Sequence, residues 1–266
     1  MKLKDKVSIV TGAGCGIGRG IAEVFARQGA KVVIAEINPE TGQAVADGIV
    51  ADGGEAIFIQ CDVSSEEAVR KLVEKIIETH GRIDVLVNNA GVSTVRPFEQ
   101  SPPEYWDSMM AVDLRGAYLC CWLVIPEMLK TGGGAIVNIA SVHTMGSLSG
   151  SSPYGAAKRG IVGMTKALAV EYAERNVRLN VLSPGLIDTG IWAAIKKAAP
   201  TPKDAEDHWK GHIPMNRVGT IEEMGHVAAF LASDEASYVT GSNLLADGGM
   251  TSQLIGDEPF EGKNVE

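Results

Sequence analysis

Residues 7–30, VSIVTGAGCGIGRGIAEVFARQGA, pass from a β-branched run through a glycine cluster into a helical pattern. Val7–Thr11 reads as a buried strand, and Ile21, Val24 and Phe25 recur at the spacing of one helix face. Between them Gly12, Gly16 and Gly18 permit a tight turn, close approach of backbone amides to a pyrophosphate and close helix–sheet packing; the helix N-terminus adds partial positive charge. A glycine cluster alone would be an ordinary turn. A strand before it, a helix after it and an acid ending the next strand make it a dinucleotide loop. That acid is Glu36, at the end of KVVIAE (residues 31–36), where a carboxylate can accept hydrogen bonds from the adenosine ribose hydroxyls. A carboxylate there repels the 2′-phosphate of NADP, and neither Ile37 nor Cys15 supplies a cation for it. NAD is the expected cofactor; a Glu36 that merely faces water at a strand end is the plainer alternative.

Outward from this unit, short β-branched runs alternate with longer amphipathic or Ala-rich segments, the pattern of strand–helix units around a parallel sheet. Strands are expected at Val7–Thr11, Lys31–Ala35, Glu55–Gln60, Ile83–Val87, Ala135–Ala140, Arg178–Leu182 and Asn243–Ala246. The expected fold is α/β: a doubly wound, seven-stranded parallel sheet with helices on both faces, in a single domain over residues 1–250. Helix caps are expected at Asn38 before Pro39, at Ser64 with Glu67 and at Thr220 with Glu223. Residues 251–266 are expected to form a loose or partner-docked tail.

Composition excludes several classes. The 266 residues are 45% hydrophobic, ample for one large core, and 24 basic against 33 acidic side chains leave a net charge of -9. That balance argues against nucleic acid or an anionic membrane as partner. No apolar stretch is expected to approach the ~20 residues of a membrane span, and no signal-peptide cleavage site follows MKLKDK, so a cytoplasmic protein is expected. Cys15, Cys61, Cys120 and Cys121 show no CxxC or metal-ligand spacing; reduced thiols and no metal are expected.

A second chemical signal lies in ASVHTMGSLSGSSPYGAAKRG, residues 140–160. Tyr154 and Lys158 are spaced i, i+4, so on a helix starting near Pro153 they share a face. Ser141 follows a strand directly, at the carboxyl end where parallel sheets bind ligands. A free tyrosine, with a pKa near ~10, is a poor base at neutral pH, but a neighbouring ammonium favours the phenolate. Lys158 thus makes Tyr154 usable as acid or base.

TGAGCGIG at 11–18, NNAG at 88–91, Ser141 with YGAAK thirteen residues later, and SPGLIDT at 183–189 together resemble the short-chain dehydrogenase/reductase family, in its usual order. The resemblance runs from about Lys4 to Gly249. It implies a Rossmann-type domain in which Gly12, Cys15, Gly16, Ile17 and Gly18 line the cofactor phosphates and nearby ribose. Asp62 would bind the adenine amino group, with Val63 flanking the ring, while Asn89, Ala90 and Gly91 support the cofactor. Pro184, Gly185, Ile187 and Thr189 would lie against the nicotinamide. Tyr154 would be the general acid/base, Lys158 would bind the nicotinamide ribose, and Ser141 would hydrogen-bond the substrate oxygen. The family also implies a homotetramer and a substrate-covering lid around residues 190–214.

One position departs from the family. In MMAVDLRGAYL (109–119) Asp113 stands where the family usually has an asparagine that helps hold a water near the active-site lysine, largely through its backbone carbonyl. A carbonyl survives the change, so Asp113 is counted with Ser141, Tyr154 and Lys158 as catalytic and activity is expected. Its added charge could stabilise the Lys158 ammonium, be solvated, or pair with Arg115. His143 and Trp192 are candidate substrate contacts, although a loop histidine and ordinary packing explain them equally. His208 and His212 lack a third metal ligand and read as a solvated face. Met109–Met110 and Cys120–Cys121 read as core or helix–helix packing.

The favoured reading is an NAD-dependent enzyme interconverting a secondary alcohol, polyol or sugar hydroxyl and its ketone, in the oxidative direction. A 3-oxoacyl-thioester reductase is the second enzyme reading, disfavoured by Glu36. A catalytically idle NAD-binding protein is the alternative of another class, disfavoured by the presence of both Tyr154 and Lys158.

Overall fold

The computed structural model describes residues 1–253. All five residues of β1 (Val7–Thr11) are buried, because side chains alternate into cores on both faces of the sheet. Val10 joins Val32 and Ile34 of β2 (Lys31–Glu36) in one core, covered by α1 (Gly16–Arg27), α2 (Pro39–Ala51) and α9 (Ile221–Ala232). Val7 and Ile9 join Val33 and Ala35 in the other, covered by α3 (Glu66–His80) and α5 (Gly116–Lys130), with Ala169 of α6 (Ser152–Tyr172). The remaining strands are β3 (Glu55–Gln60), β4 (Val85–Asn88), β5 (Gly134–Ile139), β6 (Val177–Pro184) and β7 (Asn243–Ala246). The described residues form a seven-stranded sheet in the order β3-β2-β1-β4-β5-β6-β7, with every neighbouring pair parallel. This is the expected doubly wound architecture, in one domain.

Asn38 caps α2 by accepting from the amides of Glu40 and Thr41, and Thr220 with Glu223 forms a reciprocal capping box on α9. The cap of α3 is Ser65 rather than Ser64. Ser64 donates its amide and hydroxyl to Asp62 Oδ1, at 2.9 and 2.7 Å, and this side-chain turn delays the helix by one residue. β4 begins two residues later than Ile83 and runs on through Asn88.

A long helix runs continuously from Pro103 to Lys130, comprising α4 (Pro103–Met110), a π-turn at Ala111–Arg115, and α5. By length and composition it could cross a membrane, contrary to the expectation that no stretch would, but half of its most apolar window is buried inside the fold. Met109, Cys120 and Cys121 are core residues of this helix. The expected tail also begins too early: Met250–Ser252 forms a 3₁₀ turn packed at the site described below. The rest of that segment lies outside the described residues.

Candidate active site

Strand order reverses between β1 and β4, and loops leaving the carboxyl ends of strands beside such a point form a ligand crevice. The glycine loop leaves β1 and the NNAG loop leaves β4, and they are tied together. Asn89 Nδ2 donates to the carbonyls of Thr11 and Gly12 at 2.9 and 3.0 Å, and the Asn89 amide donates to Thr11 Oγ1. Gly18 is required here, since a Cβ would lie 2.3 Å from the Gly12 carbonyl oxygen and 2.4 Å from Asn89 Nδ2. At the N-terminus of α1, Cys15 is exposed and provides no side-chain cap, and the first turn holds no acid. Such an end suits an anion.

The Glu36 carboxylate does not simply face water. It is 9% exposed; Oε2 accepts from the Gly14 amide at 3.0 Å, and Oε1 accepts from the amides of Ile37 and Asn38 at 2.9 and 3.1 Å. A Cβ on Gly14 would lie 2.8 Å from Glu36 Cγ, so the loop accepts this acid only with glycine beside it. Asp62 keeps one carboxylate oxygen on Ser64. Val63 turns its side chain into the core against Gly116. The uncapped helix, the glycine loop and the fixed acid fit a nicotinamide dinucleotide.

Ser141 lies just beyond β5, buried, with Oγ accepting from the His143 amide at 3.3 Å. Tyr154 and Lys158 project from the first turns of α6, with Lys158 Nζ 5.4 Å from the Tyr154 ring centroid. Lys158 Nζ also donates to the Ile139 carbonyl at 3.4 Å. The charge of Asp113 resolves to one of the three expected fates: Oδ2 lies 3.1 Å from Lys158 Nζ, and the two side chains are 0% and 5% exposed. Arg115 instead donates to the Ser64 carbonyl. Asp113 sits in the π-turn, and its Oδ1 accepts from the Val92 amide at 2.7 Å, joining the NNAG loop to this helix.

Residues the sequence reading passed over hold this group in place. Asn88 Nδ2 donates to Asn138 Oδ1 at 2.8 Å, and Asn138 Nδ2 donates to Thr165 Oγ1 at 2.8 Å. The buried chain pins α6 to β4 and β5, which locates Tyr154 and Lys158 relative to Ser141. Arg159 donates to the Gly146 carbonyl at 2.8 Å and to Ser147 Oγ at 3.4 Å, holding the loop after β5. His143 stacks edge-on to Tyr154 with ring centroids 5.1 Å apart. Burial, and secondarily the Arg159 charge, lower its pKa below the ordinary imidazole value.

A cavity of about 670 Å³ is lined by Asn89, Gly91, Ser141, His143, Tyr154 and Lys158, while Gly12, Cys15, Gly16, Gly18, Glu36, Asp62 and Val63 lie outside its lining. Ile17, Pro184, Gly185, Ile187 and Thr189 line the same space. Ala90 is held through its amide to Thr11 Oγ1 at 3.1 Å. Trp192 does not line it, contrary to expectation. On α7 (Gly190–Ala198) Ile191 and Ile195 share the cavity face, which turns Trp192 inward to 2% exposure under Lys196. Trp209 of α8 (Pro202–Lys210) supplies the aromatic wall. Met250, Thr251 and Gln253 complete it. Burial works against the Asp247 carboxylate, but hydrogen bonds from Thr251 Oγ1, its amide and the Gly249 amide outweigh burial, hold that carboxyl below its ordinary pKa and fix the turn. Among the described residues no three His, Cys, Asp or Glu side chains gather as a metal site.

A family model described as enoyl-(acyl carrier protein) reductase matches residues 12–251. A 3-oxoacyl-[acyl-carrier-protein] reductase of Chlamydia pneumoniae is 39% identical over 94% of this chain and 98% of its own length. A cyclohexanol dehydrogenase of Acinetobacter is 39% identical over 95% of this chain and 97% of its own. The crystal structure of a Sinorhizobium meliloti protein classed as a short-chain alcohol dehydrogenase superposes with a TM-score of 0.90 at 35% identity, covering 95% of this chain and 99% of the other. With these likenesses spanning nearly the whole chain, it belongs to the short-chain dehydrogenase/reductase family of nicotinamide-dependent oxidoreductases.

Proposed function

We propose that the protein is an NAD-preferring dehydrogenase that interconverts a secondary alcohol, polyol or sugar hydroxyl and its ketone. The observation that carries this reading is the convergence of Ser141, Tyr154 and Lys158 on one cavity beside the glycine loop. When bound, the nicotinamide cofactor accepts or supplies the hydride. Ser141 Oγ donates to the substrate oxygen and holds it toward Tyr154. Tyr154 Oη takes the hydroxyl proton in oxidation and returns it in reduction. Lys158 binds the nicotinamide ribose, and Asp113 orients Lys158. Gly12, Cys15, Gly16, Ile17 and Gly18 hold the phosphates, Asp62 and Val63 the adenine, and Asn89, Ala90 and Gly91 the central part. Pro184, Gly185, Ile187 and Thr189 support the nicotinamide.

The choice of NAD rests on Glu36, whose charge is locked at the loop by three amides. A ribose hydroxyl donating to a charged group contributes about 1.5–3 kcal/mol, so Glu36→Ala is expected to lower the kcat/KM ratio of NAD over NADP by about 10–100-fold. Steady-state assays with both cofactors check this, and an unchanged ratio removes Glu36 from cofactor selection. A second reading, 3-oxoacyl-thioester reductase, is favoured by the Chlamydia relative. Reduction of acetoacetyl thioesters faster than any alcohol is oxidised would establish it. A homotetramer is supported by Tyr118 and Trp122, which stand exposed on α5, and a reducing, cytoplasmic setting by four unpaired cysteines.

A further inference from the structure

We infer that the substrate carries its reacting oxygen on a compact apolar body, as an alicyclic or branched secondary alcohol or ketone, rather than being a polyol or sugar. The inference rests on the oxidoreductase reading above. Val92, Val95, Met145, Leu148 and Ile191 are large apolar side chains that the fold leaves exposed, and all five gather around this cavity. Apolar side chains clustered around a concave site mark a surface that a ligand covers.

Part of the polar lining is already engaged. Asn89 Nδ2 donates to the Thr11 and Gly12 carbonyls, Thr189 Oγ1 accepts from the Ile191 amide, and Thr251 Oγ1 donates to Asp247. Asp113 and Lys158 face each other as an ion pair, and no other Asp, Glu, Lys or Arg lines the cavity among the described residues. The reacting end holds its own set of groups free to meet a substrate oxygen. Ser141, Tyr154 and His143 stand together there, and His143 Nδ1 is buried with no hydrogen-bond partner among the described residues. Beyond them the wall carries Ser93, Ser151, Gln253 and the Trp209 indole N–H without a side-chain hydrogen bond among the described residues, and the Ser147 hydroxyl, which accepts from Arg159 at 3.4 Å, keeps its proton to donate. Each hydroxyl of a polyol left without a partner costs roughly 5–150-fold in affinity, whereas each buried methylene gains about fourfold.

The test compares NAD reduction by the wild-type enzyme with 1-indanol and 3,3-dimethyl-2-butanol against myo-inositol and sorbitol. The expected kcat/KM is at least about 100-fold higher for the first pair, following two unmet hydroxyls. Dissociation constants of the Tyr154→Phe enzyme with NADH, measured calorimetrically for 1-indanone, 3,3-dimethyl-2-butanone and fructose, are expected to keep that order, with a negative heat capacity change for the apolar ketones. Leu148→Asn and Ile195→Asn are expected to narrow the preference by about tenfold. Equal or better use of the polyols, or tighter binding of fructose, overturns the inference while leaving the oxidoreductase reading intact. If the wild type reduces NAD with none of the four alcohols, that reading fails instead, and the ketone dissociation constants still decide the character of the cavity.

Discussion

Tyr154→Phe is expected to lower turnover by about 10²–10⁴-fold, the usual contribution of a positioned general acid or base, while changing cofactor affinity only a few-fold. The phenyl ring keeps the shape that packs edge-on against His143 and beneath Lys158 Nζ, so the variant removes one oxygen and little else. Tyr154 touches the cavity from the first turn of α6, which is anchored independently through the Asn88–Asn138–Thr165 chain. Fluorescence titration with NADH and steady-state assays on one preparation separate the two effects. Turnover within threefold of wild type would falsify the assignment of Tyr154 as acid/base. Loss of both turnover and NADH binding would point to a structural role instead.

Asp113→Ala is expected to cost about 3–5 kcal/mol of folding stability, because removing one partner of a buried pair leaves the other charge unpaired. Lys158 and Asp113 are almost wholly enclosed, and Ala also deletes the acceptor of the Val92 amide. Asp113→Asn should cost less, since its single amide oxygen can still accept from either the Val92 amide or Lys158, one contact of the two. Urea unfolding midpoints, converted with a common slope, measure both. A loss under about 1 kcal/mol for Ala would show that water reaches Lys158 and that the pair contributes as little as a surface one. Retained turnover in Asp113→Asn is expected because Lys158 keeps its contact with the Ile139 carbonyl.

Much of this molecule is legible along the chain because its signals are local. Gly12, Gly16 and Gly18 between a strand and a helix, an acid ending the next strand, and a tyrosine four residues before a lysine each place side chains through covalent spacing alone. That spacing sufficed for the sheet, for the neighbourhood of Tyr154 and Lys158, and for the caps at Asn38 and Thr220. It misplaced features decided by packing. Trp192 follows the cavity-facing Ile191 by one residue, yet one residue is about 100° around a helix and turns it into the interior.

The sequence by itself determined the strand–helix alternation, the glycine loop between strand and helix and the shared face of Tyr154 and Lys158, because hydrophobic period, glycine placement and i, i+4 spacing act over one or two turns. Only the tertiary structure decided that Asp113 pairs with Lys158 rather than Arg115, that Asn88, Asn138 and Thr165 fasten α6 to the sheet, and that Met250–Gln253 walls the cavity. Those contacts join residues 27 to more than 100 positions apart, and no local spacing encodes which of several nearby partners a charge or an amide will meet once the core has closed around it.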